Sequence, residues 1–151
     1  MRISAKVDYA VRAAVELATA GDDPVKGDTI AEAQGIPLKF LENILGELKH
    51  SGIVASRRGA QGGYWLAKDA EDVALADIVR AVEGPLATVR GQGPESLEYK
   101  GAAAPLQQVW IAVRANLRAI MDEVTLADVV SGELPAQVRE LSEPAEAWSP
   151  R

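Results

Sequence analysis

The stretch of the sequence whose residues are best suited to binding a ligand is RRGAQGGYW at 57–65. It combines two arginines, three glycines and two aromatic residues. Basic glycine loops commonly hold phosphates, either of a bound nucleotide or of a nucleic-acid backbone. A nucleotide loop of the type G-x-x-x-x-G-K-[ST] lies between a strand and a helix, so that amides and helix dipole converge on the phosphate. Here no Lys-Ser or Lys-Thr pair follows, and strand-like residues flank both sides. The glycines are therefore predicted to turn a hairpin that presents Arg57 and Arg58 to a nucleic-acid backbone.

The other residue types offer little for catalysis or for metal binding. The chain has no cysteine and a single histidine, His50, so it provides no thiolate ligands and no Ser/His/Asp or Cys/His set. His50 is expected at the end of a helix, where a partly cationic side chain suits the carbonyl end of the dipole. The carboxylates are scattered, without the spacing of a glycosidase pair. An enzyme is the least favoured class, and we expect neither a cofactor nor a bound metal.

The charge distribution restricts where a nucleic acid could bind. The chain has 151 residues and a net charge of -6, which argues against a generic nucleic-acid binder. Residues 1–70 carry nine basic and nine acidic side chains, whereas residues 71–151 carry seven and thirteen. A DNA-binding surface must therefore be a local patch in the first half. We see no signal peptide and no apolar run near the roughly 18 residues of a membrane span, so we expect a soluble cytoplasmic protein without membrane contacts.

The periodicity of the first fifty residues predicts a helix-turn-helix. Apolar residues at three- and four-residue spacing predict an amphipathic helix over about 4–19. The tetrad Thr29–Glu32 fits a capping box that opens a short helix ending at Gly35. Pro37 suits the first position of the next helix, over 38–50. That helix has an inward apolar stripe and an outward polar row, as in a DNA-binding motif, although an ordinary helical hairpin has the same pattern.

The residues that follow favour a winged helix. Residues 53–57 and 63–67 are typical of two strands around a glycine-rich tip. Strand alternation places Tyr64 and Leu66 on one face, towards the core, and Trp65 on the other. The predicted fold class is therefore mainly α with a small β-hairpin wing.

The second half of the sequence predicts an oligomerisation element. A short helix around Asp77–Val82 ends at Gly84, and 85–105 loses all periodicity, as in a long loop that is functional or disordered. From Leu106 an apolar stripe spans nearly twenty residues, which predicts a helix about 28 Å long. Its partner is either the rest of the domain or the same helix of a second subunit, and we favour a homodimer. Residues 125–130 add one or two turns, and the remaining chain is expected to be loose and acidic.

Three segments carry a family resemblance: MRISAKVDYAVRA, TIAEAQGIPLKFLENILGELKHSGIV and RRGAQGGYWLAK. They resemble the Rrf-type family of bacterial winged-helix transcription regulators, closely over residues 1 to about 84 and more loosely beyond. The RGxxGGYxL wing is specific to this family. The resemblance implies a winged helix-turn-helix DNA-binding domain at 1–84, a loop at 85–105, a dimerisation helix region at 106–132 and a flexible acidic tail at 133–151. It implies a homodimeric, sequence-specific regulator of transcription, usually a repressor, which we expect to bind a palindromic operator on double-stranded DNA.

The resemblance also assigns DNA contacts, with the second helix of the motif in the major groove and the wing in the minor groove. The implied groove residues are Pro37, Lys39, Phe40, Glu42 and Asn43, with Thr29 on the preceding helix. The implied wing contacts are Arg57, Arg58 and Gln61, and the implied phosphate contacts near the N-terminus are Arg2, Ser4, Lys6 and Tyr9.

Base chemistry supports several of these assignments independently. An amide at Asn43 pairs well with adenine N6 and N7, and a carboxylate at Glu42 accepts from cytosine N4. Lys39 has the reach for a guanine or for a phosphate. The alternative for these polar residues is a solvated helix face, and the alternative for Phe40 is a place in the core. Arginines at a hairpin tip suit a narrow, electronegative minor groove.

The residues favour a signal other than an iron–sulfur cluster. Many members of the family bind an iron–sulfur cluster through three cysteines in the loop that corresponds to 85–105, but this chain has none. Asp8 lies near a position where some members add a carboxylate ligand, yet it is better explained by a pair with Arg12. We therefore expect a small-molecule or protein effector, with Trp65 and Trp110 as candidate contacts, although Trp110 also suits dimer packing. The competing hypothesis is a protein-interaction module on a winged-helix scaffold that has lost specific DNA recognition.

Overall fold

The computed structural model describes residues 2–150, which form seven α-helices and one two-stranded antiparallel hairpin. The helices are α1 (Ala5–Ala20), α2 (Gly27–Gln34), α3 (Leu38–His50), α4 (Leu75–Glu83), α5 (Leu106–Met121), α6 (Leu126–Ser131) and α7 (Ala136–Ser142). The strands are β1 (Val54–Arg57) and β2 (Gly63–Leu66), and short 3₁₀ turns occupy Ala70–Asp72, Pro94–Ser96, Gly101–Ala103 and Ala145–Trp148. No helix in this part of the chain combines the length and the apolar character needed to cross a bilayer. The predicted fold class, mainly α with a hairpin wing, is confirmed.

α1 is the central helix of the core. Its buried residues are small or aliphatic and recur at helical spacing: Val7, Ala10, Ala13, Ala14 and Leu17. The alanines let neighbouring elements approach closely, and α1 packs against α3, α4, α6 and β2. Ser4 caps its N-terminus by accepting a 3.1 Å hydrogen bond from the Val7 N–H.

The helix-turn-helix is formed by α2 and α3, but α2 begins earlier than the sequence suggested. Its first residue is Gly27, so Thr29 lies exposed inside the helix and the predicted capping box does not form. Asp28 already provides the negative charge that suits the first turn, which lets the helix begin two residues before Thr29. The turn after α2 depends on Gly35, whose φ of 61° lies in the left-handed region. Pro37 is the residue before α3, and the helix itself starts at Leu38.

The wing is a short hairpin that a third segment anchors. β1 and β2 pair from Val54 opposite Leu66 to Arg57 opposite Gly63. On the outer side of β2, Val25 exchanges two 2.8 Å backbone hydrogen bonds with Tyr64. Tyr64 and Leu66 pack against the core, as strand alternation predicted.

α6 returns the chain to the core of the winged helix. Leu126 at its start is fully buried in the same cluster as α1, and Thr125 and Asp128 form a capping box with bonds of 2.9 and 3.2 Å. Within 106–132, Leu126 therefore packs in the core, whereas α5 contains no buried residue. A dimerisation role for 106–132 stays a prediction.

α5 is shorter than its apolar stripe implied. It has 16 residues, about 24 Å, because the chain turns after Met121 so that Thr125 can pair with Ala74. Arg80 of α4 ties its end to the core through a 2.8 Å ion pair with Asp122.

Two segments expected to be irregular contain ordered turns and a helix. In 85–105, Pro94 and Leu97 are buried and two 3₁₀ turns form. In 133–151, which we predicted as a loose acidic tail, α7 and a final 3₁₀ turn form, and Val138 and Leu141 line an open pocket with Ile120 of α5.

Candidate nucleic-acid interface

The exposed face of α3 is the first part of the candidate interface. Four fully buried residues hold the helix against the core: Leu41, Ile44, Leu45 and Leu48. At 100° per residue, the opposite face then carries Lys39, Glu42, Asn43 and Gly46, all exposed. Within residues 2–150, the side chains of Lys39, Glu42 and Asn43 make no hydrogen bond or ion pair, so their polar atoms remain available to a ligand. A Cβ at Gly46 would meet nothing within 4 Å, which leaves this face open.

Phe40 lies at the edge of this exposed face, on the side towards α1, and does not enter the core. Its side chain is 44% exposed. Its ring meets the ring of Tyr9 from α1 edge to face, with centroids 5.7 Å apart and planes at 87°. Of the two positions that the sequence left open for Phe40, the structure therefore has the outward one.

The wing tip presents two arginines to solvent. Arg57 Nη2 donates a 3.3 Å hydrogen bond to the Gln61 carbonyl, which holds the tip closed, while Arg58 and the side chain of Gln61 are exposed. The tip is tight because Gly62 lies against the opposite strand: a Cβ at this position would be 2.1 Å from the Arg57 carbonyl oxygen. The base of the wing meets the start of α3 at Gly27, where a Cβ would lie 3.7 Å from Tyr64 and 3.8 Å from Leu38. The two elements proposed to contact DNA, α3 and the wing, therefore both pack beside Gly27.

Two of the predicted phosphate contacts are used inside the fold. Ser4 caps α1 and donates a hydrogen bond to Glu83. Lys6 Nζ donates to Glu47 Oε1 at 2.9 Å and to the Val82 carbonyl at 2.8 Å, joining α1 to α3 and α4. Arg2 is exposed. Engagement within the fold leaves Ser4 and Lys6 less free for DNA than the sequence implied, and their contact with phosphate stays a prediction.

Sequence reasoning missed Arg12, which it treated as a surface partner of Asp8. The ion pair exists, with Arg12 Nε 3.2 Å from Asp8 Oδ2, but it lacks hydrogen-bond geometry. Arg12 Nη1 instead donates a 3.0 Å hydrogen bond to the Gln34 carbonyl at the end of α2, and the guanidinium lies 5.0 Å from the centre of the Tyr9 ring. The available signal was the i, i+3 spacing of Tyr9 and Arg12, which places the two side chains next to each other on α1.

The two tryptophans proposed as effector contacts lie in different surroundings. Trp65 is half-buried and lines an open pocket of about 650 Å³ with Leu17, Asp22 and Lys68. Trp110 is half-buried on α5, where its Nε1 donates a 3.0 Å hydrogen bond to the Tyr99 hydroxyl. The structure therefore does not bring the two residues into one site.

The segment 85–105 is fastened to α5 beside Trp110. Gln107 Nε2 donates 3.3 Å hydrogen bonds to the carbonyls of Pro94 and Glu95, and Arg114 pairs with the Glu95 carboxylate. A hydrogen bond from its own backbone, followed by the Arg114 guanidinium, holds the pKa of Glu95 below its usual range.

The chain resembles known proteins along most of its length. A family model described as Rrf2, Iron-dependent Transcriptional regulator, matches residues 3–132. The chain is 48% identical over 144 residues to a putative HTH-type transcriptional regulator of Mycobacterium tuberculosis strain H37Rv, covering 95% of this chain and 89% of that protein. It is 34% identical over 134 residues to the HTH-type transcriptional regulator IscR of Yersinia enterocolitica, covering 88% and 81%.

Solved structures show the same fold. CymR, the global cysteine regulator of B. subtilis, superposes with a TM-score of 0.75 at 31% identity, covering 87% of this chain and 98% of CymR. IscR of T. potens superposes with a TM-score of 0.72 at 34% identity, covering 91% of each chain.

Proposed function

Because the chain belongs to the Rrf2 family of transcriptional regulators, we propose that it is a homodimeric repressor that binds a palindromic operator and works without an iron–sulfur cluster. The observation that carries this proposal is the row of exposed, unengaged polar side chains on α3, adjacent to an arginine-tipped wing. The relatives named above are transcriptional regulators.

The exposed row of α3 suits the major groove of DNA. An α-helix fits this groove, where each base pair presents a distinct pattern of donors and acceptors. Asn43 is the candidate partner of an adenine and Glu42 of a cytosine, each contributing about 1–3 kcal/mol of discrimination. Lys39 supplies a positive charge for a guanine or a phosphate. The rigid anchoring of α3 by its buried leucines supports such contacts because its side chains keep a fixed register.

The wing and the N-terminal segment would supply sequence-independent affinity. Arg58 projects from a narrow turn, as an arginine entering a minor groove must. Arg2 and Thr29 are exposed and Tyr9 half-exposed, so they are the predicted phosphate contacts that the fold leaves accessible. Since the first half of the chain has no net charge, this local patch would give the attraction to DNA.

A second copy of the chain is the proposed partner of α5. Val109 is 48% exposed and Leu106, three residues earlier on the same stripe, is 38% exposed. The helix also carries a shallow apolar groove lined by Val109, Ala112, Val113, Asn116, Leu117 and Ile120. An apolar stripe of this length is stabilised when it packs against an equivalent helix. A twofold axis through this contact would present two α3 helices to half-sites about 34 Å apart.

The proposed mode of regulation is an effector other than an iron–sulfur cluster. No cysteine is present to ligate one. The segment that would correspond to a cluster-binding loop is held on α5 by the Glu95–Arg114 pair and the Tyr99–Trp110 hydrogen bond. We propose that a small molecule or a protein partner acts at this segment or at Trp65, and so changes the geometry of the dimer.

The proposal is tested by selecting sequences from a random duplex library with the purified protein at moderate salt. We expect enrichment of a palindrome whose half-sites lie one helical turn apart, and an affinity that falls steeply with salt concentration. A double Arg58→Ala, Asn43→Ala variant should lose the enrichment while it keeps its fold. Failure of the unmodified protein to prefer any sequence over random duplexes would contradict the proposal and favour a protein-interaction module.

A further inference from the structure

Phe40 is an unusual residue for a helix face that otherwise carries polar groups. It is 44% exposed and Leu38, two residues earlier, is 42% exposed. Leu38 extends towards α2: a Cβ built at Gly27, the first residue of α2, would lie 3.8 Å from Leu38 Cδ1. Phe40 contacts α1 on one side only and keeps the rest of its ring in solvent. In a major groove, phenylalanine is one of the side chains that makes apolar contact with a thymine methyl group.

The ring of Phe40 is braced from α1. Tyr9 meets it edge to face at 5.7 Å, and Arg12 lies over the Tyr9 ring at 5.0 Å. Arg12 Nη1 in turn donates a 3.0 Å hydrogen bond to the carbonyl of Gln34, the last residue of α2. The three side chains therefore connect the turn of the helix-turn-helix to the first turn of α3.

We propose that Phe40 recognises the 5-methyl group of a thymine in the major groove, and that Tyr9 and Arg12 are its positioning residues. This inference rests on the DNA binding proposed above. Thymine is the base that offers an apolar group in the major groove, whereas the other edge groups there are hydrogen-bond donors and acceptors. A phenyl ring cannot hydrogen-bond to those groups, but it gains by covering a methyl group.

The bracing determines whether such a contact is selective. A half-exposed phenylalanine side chain with two free torsions would populate several rotamers and so contact several positions on the DNA. The edge-to-face contact with Tyr9 favours one orientation of the ring. Arg12 lies over Tyr9 and, through its hydrogen bond to Gln34, ties the end of α2 to α1. Loss of either brace should therefore weaken the preference for thymine more than the general affinity for DNA.

The test uses the selected operator in which each thymine is replaced, one at a time, by deoxyuridine, which lacks only the methyl group. For the unmodified protein, we expect replacement at one position of each half-site to weaken binding about fourfold. For Phe40→Ala, affinity for the normal operator should fall, and the same replacement should have no further effect. Leu38→Ala is the matched control, since it removes a similarly exposed apolar side chain from the same turn and should keep the fourfold response.

The positioning role is tested with two further changes. Tyr9→Phe retains the ring and should keep the methyl response, whereas Tyr9→Ala should abolish most of it; Arg12→Ala should reduce it. Thermal unfolding identifies variants that are simply unfolded, and binding to a random duplex gives the general affinity.

Two results would overturn the inference while leaving DNA binding intact. One is an unmodified protein that tolerates deoxyuridine at every thymine, and the other is a Phe40→Ala variant with an unchanged methyl response. A methyl response that survives in Tyr9→Ala and Arg12→Ala would remove the positioning role alone. If no operator can be selected, both the inference and the proposed function fail.

Discussion

Trp110 on α5 donates a 3.0 Å hydrogen bond from its indole Nε1 to the hydroxyl of Tyr99. The two residues join the segment 85–105 to the helix proposed to form the dimer. Within the segment, the guanidinium of Arg90 lies 5.9 Å from the centre of the Tyr99 ring. Movement of the segment would therefore disturb α5 directly, which is the coupling that an effector would need.

The charge pair in this segment gives a pH-dependent prediction. Glu95 has a folded-state pKa below its ordinary value of 4.5, caused first by its backbone hydrogen bond and then by Arg114. Because the carboxylate is the favoured form, its stabilising contribution is complete above pH 4.5 and is lost as pH falls through the lowered pKa. Arg114→Gln should raise the pKa of Glu95 towards 4.5, as followed by NMR titration of the side-chain carboxyl carbon.

Arg118→Gln is the control for this titration, since Arg118 acts on Glu95 only through its charge. It should raise the pKa of Glu95 less than Arg114→Gln does. An equal or larger effect of Arg118→Gln would contradict the direct pairing of Arg114 with Glu95.

The second prediction tests whether α6 is part of the core. Leu126 is fully buried, so Leu126→Ala should reduce the free energy of unfolding by about 2–5 kcal/mol. Val130, on the same helix but exposed, provides the control: Val130→Ala should change it by less than about 1 kcal/mol. Urea denaturation measures both, at a protein concentration held constant. A change in the free energy of unfolding for Leu126→Ala as small as that for Val130→Ala would show that α6 contributes little to the core.

The third prediction concerns the proposed dimer. Val113→Glu places a charge in the apolar groove of α5 and should dissociate the dimer, because an unpaired carboxylate is costly to bury. Sedimentation should then give 16.0 kDa, the mass of one chain, and affinity for the palindrome should fall. Ala115→Glu lies on a different side of the helix and should leave the dimer intact. A dimer that tolerates both changes would exclude this groove as the contact.

The fourth prediction concerns the wing. Arg58→Ala should weaken binding to all duplexes and reduce the slope of log affinity against log salt by about 1, the share of one phosphate or groove contact. Lys68→Ala, which removes an exposed lysine beyond the hairpin, should leave the slope unchanged. The measurement is fluorescence anisotropy over a series of salt concentrations. Identical slopes for Arg58→Ala and the unmodified protein would count against a role for the wing.

The sequence by itself determined the elements whose signals are local. The spacing of Leu41, Ile44, Leu45 and Leu48 fixed the inward face of α3, and all four are buried. Strand alternation correctly predicted that Tyr64 packs against the core. These predictions succeeded because helical and strand periodicity depend only on neighbouring residues.

Only the tertiary structure decided which side chains the fold itself uses. Lys6 donates to Val82, 76 residues away, and Arg12 bonds the Gln34 carbonyl across two helices. Neither partner follows from sequence spacing, because each depends on how separate helices pack. The same holds for Phe40. Its apolar character was compatible with the core as well as with the surface, and the structure packs one side of its ring against Tyr9 and leaves the other side in solvent.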